Sequence, residues 1–144
     1  MSNKVKNLSA FFANSMEQVS NEFVEVTDRA KDENGNPILW EIKAISDDTI
    51  KEIRKECTTT KRVKRGVPQE EFDANKFEKK MCVACVVFPN LNDAELQDSW
   101  GVRSGESLLG AMLLSGEQNK LSEAVMAING YDMDMDDEVE TAKN

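Results

Sequence analysis

The most reactive side chains in this sequence belong to three cysteines, Cys57, Cys82 and Cys85. Two of them form a Cys-x-x-Cys pair, a spacing found in zinc sites and in thiol–disulfide oxidoreductases. Zinc needs four ligands, and the chain offers only one further thiol and no histidine. A redox pair needs a thiolate at a helix N-terminus, whereas this pair falls late in an apolar helical pattern. We therefore predict buried free thiols, with no metal and no cofactor.

The lack of histidine narrows the chemistry further. Histidine is the commonest general base, and it activates the nucleophile in Ser-His and Cys-His catalysis. The repeat Asp132-x-Asp134-x-Asp136 imitates the start of a calcium loop, but Asp137 and Lys143 stand where glycine and glutamate are required. Neither a phosphate-binding Walker loop nor a dinucleotide fingerprint is present in the sequence. We predict that the protein is not an enzyme.

The charge balance indicates which partners the protein avoids. The 144 residues carry a formal net charge of −9. Charge of this sign opposes nonspecific attraction to nucleic acid and to anionic lipid. No apolar run approaches the roughly 20 residues that span a bilayer, and the N-terminus lacks the apolar core of a signal peptide. We expect a cytoplasmic protein that binds neither nucleic acid nor membrane.

One basic cluster runs against this balance and consists of Lys61, Arg62, Lys64 and Arg65. Lysine and arginine side chains contact phosphate groups, so a small nucleic-acid-binding regulator that uses Lys61–Arg65 is the alternative function. The cluster lacks the interleaved aromatic residues on which bases stack. A solvated loop explains the same residues.

The positioning elements begin with a β-hairpin predicted over residues 21–45. Alternating apolar residues mark its two strands, and Asn34-Gly35 supplies a turn that tolerates positive φ. Because a lone hairpin is barely stable in water, Trp40 should pack on a helix. A third short strand is predicted near Thr58 to Val63.

Helical periodicity follows over residues 46–130 and predicts about five helices. The second helix should run from Asp73 to Phe88, where Pro89 ends it, and should be the central buried helix. The predicted N-caps are Ser46, Asp73, Asn92, Ser104 and Ser115. The predicted fold class is α+β, mainly α, with a small antiparallel β-hairpin packed against this bundle in a single globular domain, residues 21–130.

The two ends lie outside that domain. Residues 1–20 form an amphipathic N-terminal arm, either a docking arm or a terminal helix packed on its own domain. Residues 131–144 form an acidic tail with six acidic side chains and one lysine. The tail is either a solvated segment or a flexible contact for a partner. The candidate partner-contact residues of the two ends are Leu8, Phe11, Phe12, Met16, Met133 and Met135.

Three stretches of the sequence carry a family resemblance: GNPILWEIKAISDDTIKEIRKECT, FPNLNDAELQDSWGV and LLGAMLLSGEQNKLSEAVMAINGYD. Together they resemble the XkdN-like phage tail assembly chaperones found in prophages of Gram-positive bacteria. The likeness covers most of the chain, from Phe23 to Lys143. Its most specific pieces are the PNxxDAELQ run from Pro89 to Gln97 and the helix ending at Ile128 to Gly130.

The resemblance implies a cytosolic, nonstructural protein without catalytic residues. Such a protein binds the long helical tape measure protein and keeps it soluble while the tail tube polymerises. The tail tube protein and further copies of the chain are additional candidate partners. The task requires a small domain with an apolar surface that covers a partner's helices reversibly.

Overall fold

The computed structural model describes residues 4–131, in which helices pack around one core beside two small antiparallel sheets. A short 3₁₀ helix covers Leu8–Phe11, and the strands are β1 (Glu22–Val24), β2 (Trp40–Ile42), β3 (Thr58–Lys61), β4 (Gln69–Phe72) and β5 (Val86–Phe88). The helices are α1 (Asp47–Glu56), α2 (Ala74–Cys85), α3 (Ala94–Ser99), α4 (Gly105–Met112) and α5 (Ser115–Ile128). This architecture confirms the predicted α+β, mainly α fold class.

Three helices begin where their caps predict. Ser46, Asp73 and Ser104 each accept a hydrogen bond from a backbone N–H in the first turn of their helix, at 3.2, 3.0 and 3.1 Å. Each bond satisfies a backbone donor that has no partner within the helix. The local sequence therefore determines where α1, α2 and α4 begin.

Two predicted caps are wrong by one residue. The cap of α3 is Asp93 instead of Asn92, because the Asp93 carboxylate accepts the N–H of Leu96 at 2.9 Å. Helix α5 already includes Ser115, since the Glu117 side chain reaches back to the N–H of Leu114 at 2.8 Å. In both places a carboxylate accepts the backbone N–H, and such charge-assisted hydrogen bonds are stronger than those to neutral acceptors.

The first sheet has the order β1-β2-β5 and is antiparallel throughout. In its first pair, Val24 lies opposite Trp40, and both belong to the inner face. Trp40 is 3% exposed and Ile42 is fully buried. The predicted hairpin is thus confirmed, and its inner face contributes directly to the core.

The predicted end of the central helix is wrong. Helix α2 stops at Cys85, and Val86–Phe88 becomes strand β5, which pairs with β2. The β-branched Val86 and Val87 suit a strand, and the free edge of β2 supplies the backbone partners that the helix would otherwise have provided. Phe88 was expected in the core but is 52% exposed.

The predicted third strand exists, but in another place. Thr58–Lys61 pairs with Gln69–Phe72 in a separate two-stranded sheet. The third strand beside the hairpin is β5 instead.

The core lies around α2, which packs against α1, α4 and α5. Its fully buried or nearly buried side chains come from the first sheet, the helices and the connections between them: Val26, Ile42, Met81, Cys82, Cys85, Leu91, Leu108, Leu109, Leu121 and Val125. The central position predicted for this helix is confirmed. No helix within residues 4–131 is long and apolar enough to cross a membrane.

Candidate partner-binding surfaces

The three thiols are free and buried. Burial raises the pKa of each thiol, to about 11 for Cys82. The sulfur of Cys82 lies 3.6 Å from Gln118 Nε2 and 3.7 Å from Ser122 Oγ. Within residues 4–131, no group of three or more His, Cys, Asp or Glu side chains is arranged to hold a metal ion. This geometry suits packing, since a reactive thiol needs exposure and a low pKa.

The basic cluster lies at the tip of the β3–β4 hairpin and is exposed. Lys61 Nζ forms an ion pair with Glu71 Oε1 at 2.9 Å. The register places Glu70 opposite Thr60, so two carboxylates lie on the strand that faces the cluster. These acids reduce the positive potential that a phosphate backbone would meet.

The described part of the N-terminal arm is exposed throughout, and this exposure continues to residue 23. Leu8, Phe11, Phe12 and Met16 are 75%, 72%, 54% and 59% exposed. A terminal helix packed on its own domain is therefore not what the structure shows. The other two predicted contact residues, Met133 and Met135, lie outside the described residues.

The outer face of the three-stranded sheet carries two exposed phenylalanines, one on each side of Glu41, that sequence reasoning missed. Phe23 lies opposite Glu41, and Glu41 lies opposite Phe88, so the three side chains share one face. Phe23 is 65% exposed and Phe88 is 52% exposed. The signal in the sequence was the β-branched run before Phe88.

A third apolar surface is the groove between α2 and α5, with a volume of about 290 Å³. Its apolar lining comes from Phe77 and Met81 on one helix and from Val125 and Met126 on the other. Glu78 and Glu123 supply carboxylates beside this lining, and the hydroxyl of Ser122 donates a hydrogen bond to Glu78. We call this feature the α2/α5 groove. Helical periodicity identified both helices but not the gap between them.

These three surfaces can bind apolar side chains. The arm and the outer sheet face offer projecting aromatic rings, and the groove offers a concave apolar receptor. Large exposed apolar patches on a domain with a completed core mark sites of interaction.

Comparison with known proteins points to one family. Residues 8–143 match the family described as phage XkdN-like tail assembly chaperone proteins. The Bacillus subtilis protein YqbN is 32% identical over 143 residues, which is 98% of this chain and 95% of YqbN. The XkdN protein of the B. subtilis phage-like element PBSX is 28% identical over 123 residues, 84% of this chain and 82% of XkdN.

A solved structure shares the same fold. The crystal structure of YqbN superimposes with a TM-score of 0.75 at 26% identity, covering 90% of this chain and all of that one. The match of fold and sequence over nearly the whole length agrees with the resemblance seen in the three stretches. The chain belongs to the XkdN-like family of phage tail assembly chaperones.

Proposed function

We propose that this chain binds the tape measure protein of its own prophage and keeps that protein soluble during assembly of the tail tube. It acts by reversible binding in the cytoplasm of the bacterial host, without turning over a substrate. The observation that carries the proposal is the exposed apolar N-terminal arm next to a completed core, in a chain of the tail assembly chaperone family.

The arm supplies the apolar contact that such a chaperone needs. Its Leu8, Phe11, Phe12 and Met16 are all more than half exposed, and their burial against a partner would remove apolar surface from water. Phe23 and Phe88 of the outer sheet face add further exposed apolar surface. Aromatic side chains give large contact areas at a small entropic cost, and they dominate binding energy at many interfaces.

Charge supports the same proposal. The net charge of −9 keeps copies of the chain apart at high concentration and draws basic partners toward it. Met133 and Met135 alternate with acidic residues in the tail, and methionine adapts to irregular apolar surfaces. We therefore propose the arm and the tail as two contacts for one partner, and the tail tube protein as a further candidate partner.

Co-expression with the tape measure protein tests this function. We expect a soluble complex that co-purifies, and insoluble tape measure protein when this chain is left out. Replacing Phe11 and Phe12 together with serine should reduce the yield of complex, and deletion of residues 131–144 should reduce it separately. Val67→Ser is the matched control, because Val67 is 83% exposed in the loop between β3 and β4. This substitution removes an exposed apolar side chain that lies outside the arm.

Two results would contradict the proposal in different ways. If the tape measure protein stays insoluble with the parent chain, the specific partner is wrong. If both altered chains bind like the parent, the contact lies on the helical core, and the stretch from Trp100 to Leu114 is then the next to test. The nucleic-acid alternative predicts retention at low salt that falls steeply as salt rises. The ion pair between Lys61 and Glu71 argues against it.

A further inference from the structure

We propose that two copies of this chain exchange their N-terminal arms, so that the arm of each copy lies in the α2/α5 groove of the other. The arm presents projecting apolar side chains, and the groove presents a concave apolar surface of about 290 Å³. This pairing concerns the chain's association with itself, and it stands whichever tail protein is the partner.

The chemistry of the two surfaces matches in shape and polarity. Phe11 and Phe12 are 72% and 54% exposed at the end of the 3₁₀ helix. The α2/α5 groove is lined by one aromatic ring, Phe77, and by the flexible side chains of Met81 and Met126. Methionine adapts its shape and makes favourable sulfur contacts with aromatic rings, so this lining suits the entry of phenylalanine.

The charges of the two surfaces are opposite. Glu78 and Glu123 are the charged side chains that line the groove, and both are acidic. The arm carries Lys4 and Lys6 before its apolar residues. When the aromatic rings enter the groove, these lysines can reach its carboxylates, which selects this arm over the acidic tail of the same chain.

The arm is long enough to reach another molecule. The chain is anchored at Glu22, where β1 begins, and the exposed segment from Phe12 to Glu22 spans at most roughly 35 Å when extended. Among residues 4–131, only α2 and α5 line the groove, so the described part of the arm leaves it open. Reciprocal exchange between two copies closes the assembly as a dimer and fills both grooves.

Arm exchange would also regulate the proposed chaperone site. The same Phe11 and Phe12 that we assign to the tape measure protein would be covered in the dimer until that partner arrives. A second copy and the partner then compete for one segment.

Sedimentation of the purified full chain, without any partner, tests the association. We expect a mass of two chains that falls on dilution to that of one chain of 16.2 kDa. Replacing Phe11 and Phe12 with serine should abolish the larger species. At a dilution where the parent is monomeric, parent and variant should share one melting temperature, since these side chains are exposed and lie outside the core. The Val67→Ser control should keep the larger species. A parent chain that stays monomeric at every concentration would overturn the proposal.

Cross-linking between two differently altered chains tests the geometry. One chain carries Phe12→Cys and the other carries Met126→Cys, so a disulfide between them forms only when an arm enters the groove of another molecule. The native thiols are buried and have raised pKa values, so they compete little. As the matched control, Ser107→Cys places an exposed thiol on α4, away from the groove.

We expect a disulfide between the Phe12→Cys chain and the Met126→Cys chain. The Phe12→Cys chain should form little disulfide with the Ser107→Cys chain. Equal yields from the two partners would show random collision and overturn the proposal. A disulfide that forms only within a single chain carrying both Phe12→Cys and Met126→Cys would show that the arm fills its own groove, which also overturns it. Neither result bears on tape measure binding, so failure here leaves the proposed function to its own test.

Discussion

Arg29, in the connection between β1 and β2, forms a hydrogen-bonded ion pair with Glu117 in the first turn of α5. Arg29 Nε lies 3.2 Å from Glu117 Oε2, and its Nη2 donates to Glu117 Oε1 and to the carbonyl oxygen of Met112 at 2.8 Å. The same carboxylate accepts the N–H of Leu114. One glutamate therefore caps α5 and ties the hairpin connection to the link between α4 and α5.

This arrangement predicts an acid-sensitive contribution to stability. The guanidinium of Arg29, followed by the hydrogen bonds from Thr27 and Leu114, lowers the pKa of Glu117 from 4.5 to about 2. A carboxyl group whose pKa is lowered by folding stabilises the protein above its unfolded pKa, and this stabilisation is lost as the pH falls through the folded value. Glu117→Gln should therefore lower the melting temperature at neutral pH, and the difference from the parent should shrink as the pH falls from about 4.5 toward 2.

Melting curves of parent and variant over this pH range provide the measurement. Asp47→Asn serves as the control, since Asp47 pairs with Lys51 on the surface with both side chains more than 70% exposed. Exposed ion pairs of this kind contribute little to stability, so the melting temperature of the control should stay close to that of the parent at every pH. A Glu117→Gln deficit that stays constant down to acid pH would contradict the assignment.

The core around α2 predicts unequal effects at two sites. Met81 is 1% exposed, and Met81→Ala should lower the free energy of unfolding by about 2–5 kcal/mol through lost burial and an unfilled cavity. Phe88 is 52% exposed, so Phe88→Ala should cost less than about 1.5 kcal/mol. Urea denaturation of both variants checks this order. Equal losses would place Phe88 in the core after all.

Two glycines of α4 should respond in opposite directions to alanine. A Cβ at Gly105 would lie 3.0 and 3.1 Å from the two methyl groups of Val83 on α2, so this side chain would have to shift by a few tenths of an ångström. Gly105→Ala should destabilise the protein by about 1–3 kcal/mol, the usual cost of overpacking. A Cβ at Gly110 would meet only the flexible end of Lys79, and Gly110→Ala should stabilise the helix by up to about 1 kcal/mol. Thermal denaturation of both variants measures these effects. A stabilising Gly105→Ala would mean that α4 and α2 pack less tightly at Val83 than the structure shows.

The buried thiols should be slow to react. Burial raises the pKa of Cys82 to about 11, which leaves little thiolate at neutral pH. Labelling with a thiol reagent should be slow for the native protein and fast for all three cysteines in urea. Fast labelling of Cys82 or Cys85 in the native state would revive a redox role and would contradict the packing described above.

The elements that the sequence predicted well are those with local causes. Ser46, Asp73 and Ser104 cap their own helices through bonds to residues three positions on, so nearby residues carry the whole signal. Leu108, Leu121 and Val125 follow the helical period and are buried as that period predicts. The sequence predicted an amphipathic arm over residues 1–20. Its pattern did not show whether the arm docks on a partner or packs on its own domain.

Elsewhere the outcome depended on partners distant in sequence. Val86–Phe88 follows a helical pattern without interruption, and only the open edge of β2, more than forty residues earlier, turned it into a strand. That change moved Phe88 from an expected core position to the outer sheet face. Pairing across such a distance leaves no periodic trace in either segment, so no local argument finds it.

The sequence by itself determined the fold class, the caps of α1, α2 and α4, the central position of α2 and the absence of histidine-based chemistry. The sequence also showed the family resemblance, because the three matching stretches are recognised from their residues alone. Only the tertiary structure decided that the apolar side chains of the arm are exposed and that Phe23 and Phe88 share a face. It also decided that a groove lies between α2 and α5, lined by Phe77, Met81, Val125 and Met126. A groove is the space left between two packed helices, and its shape depends on their separation and on every side chain that fills it.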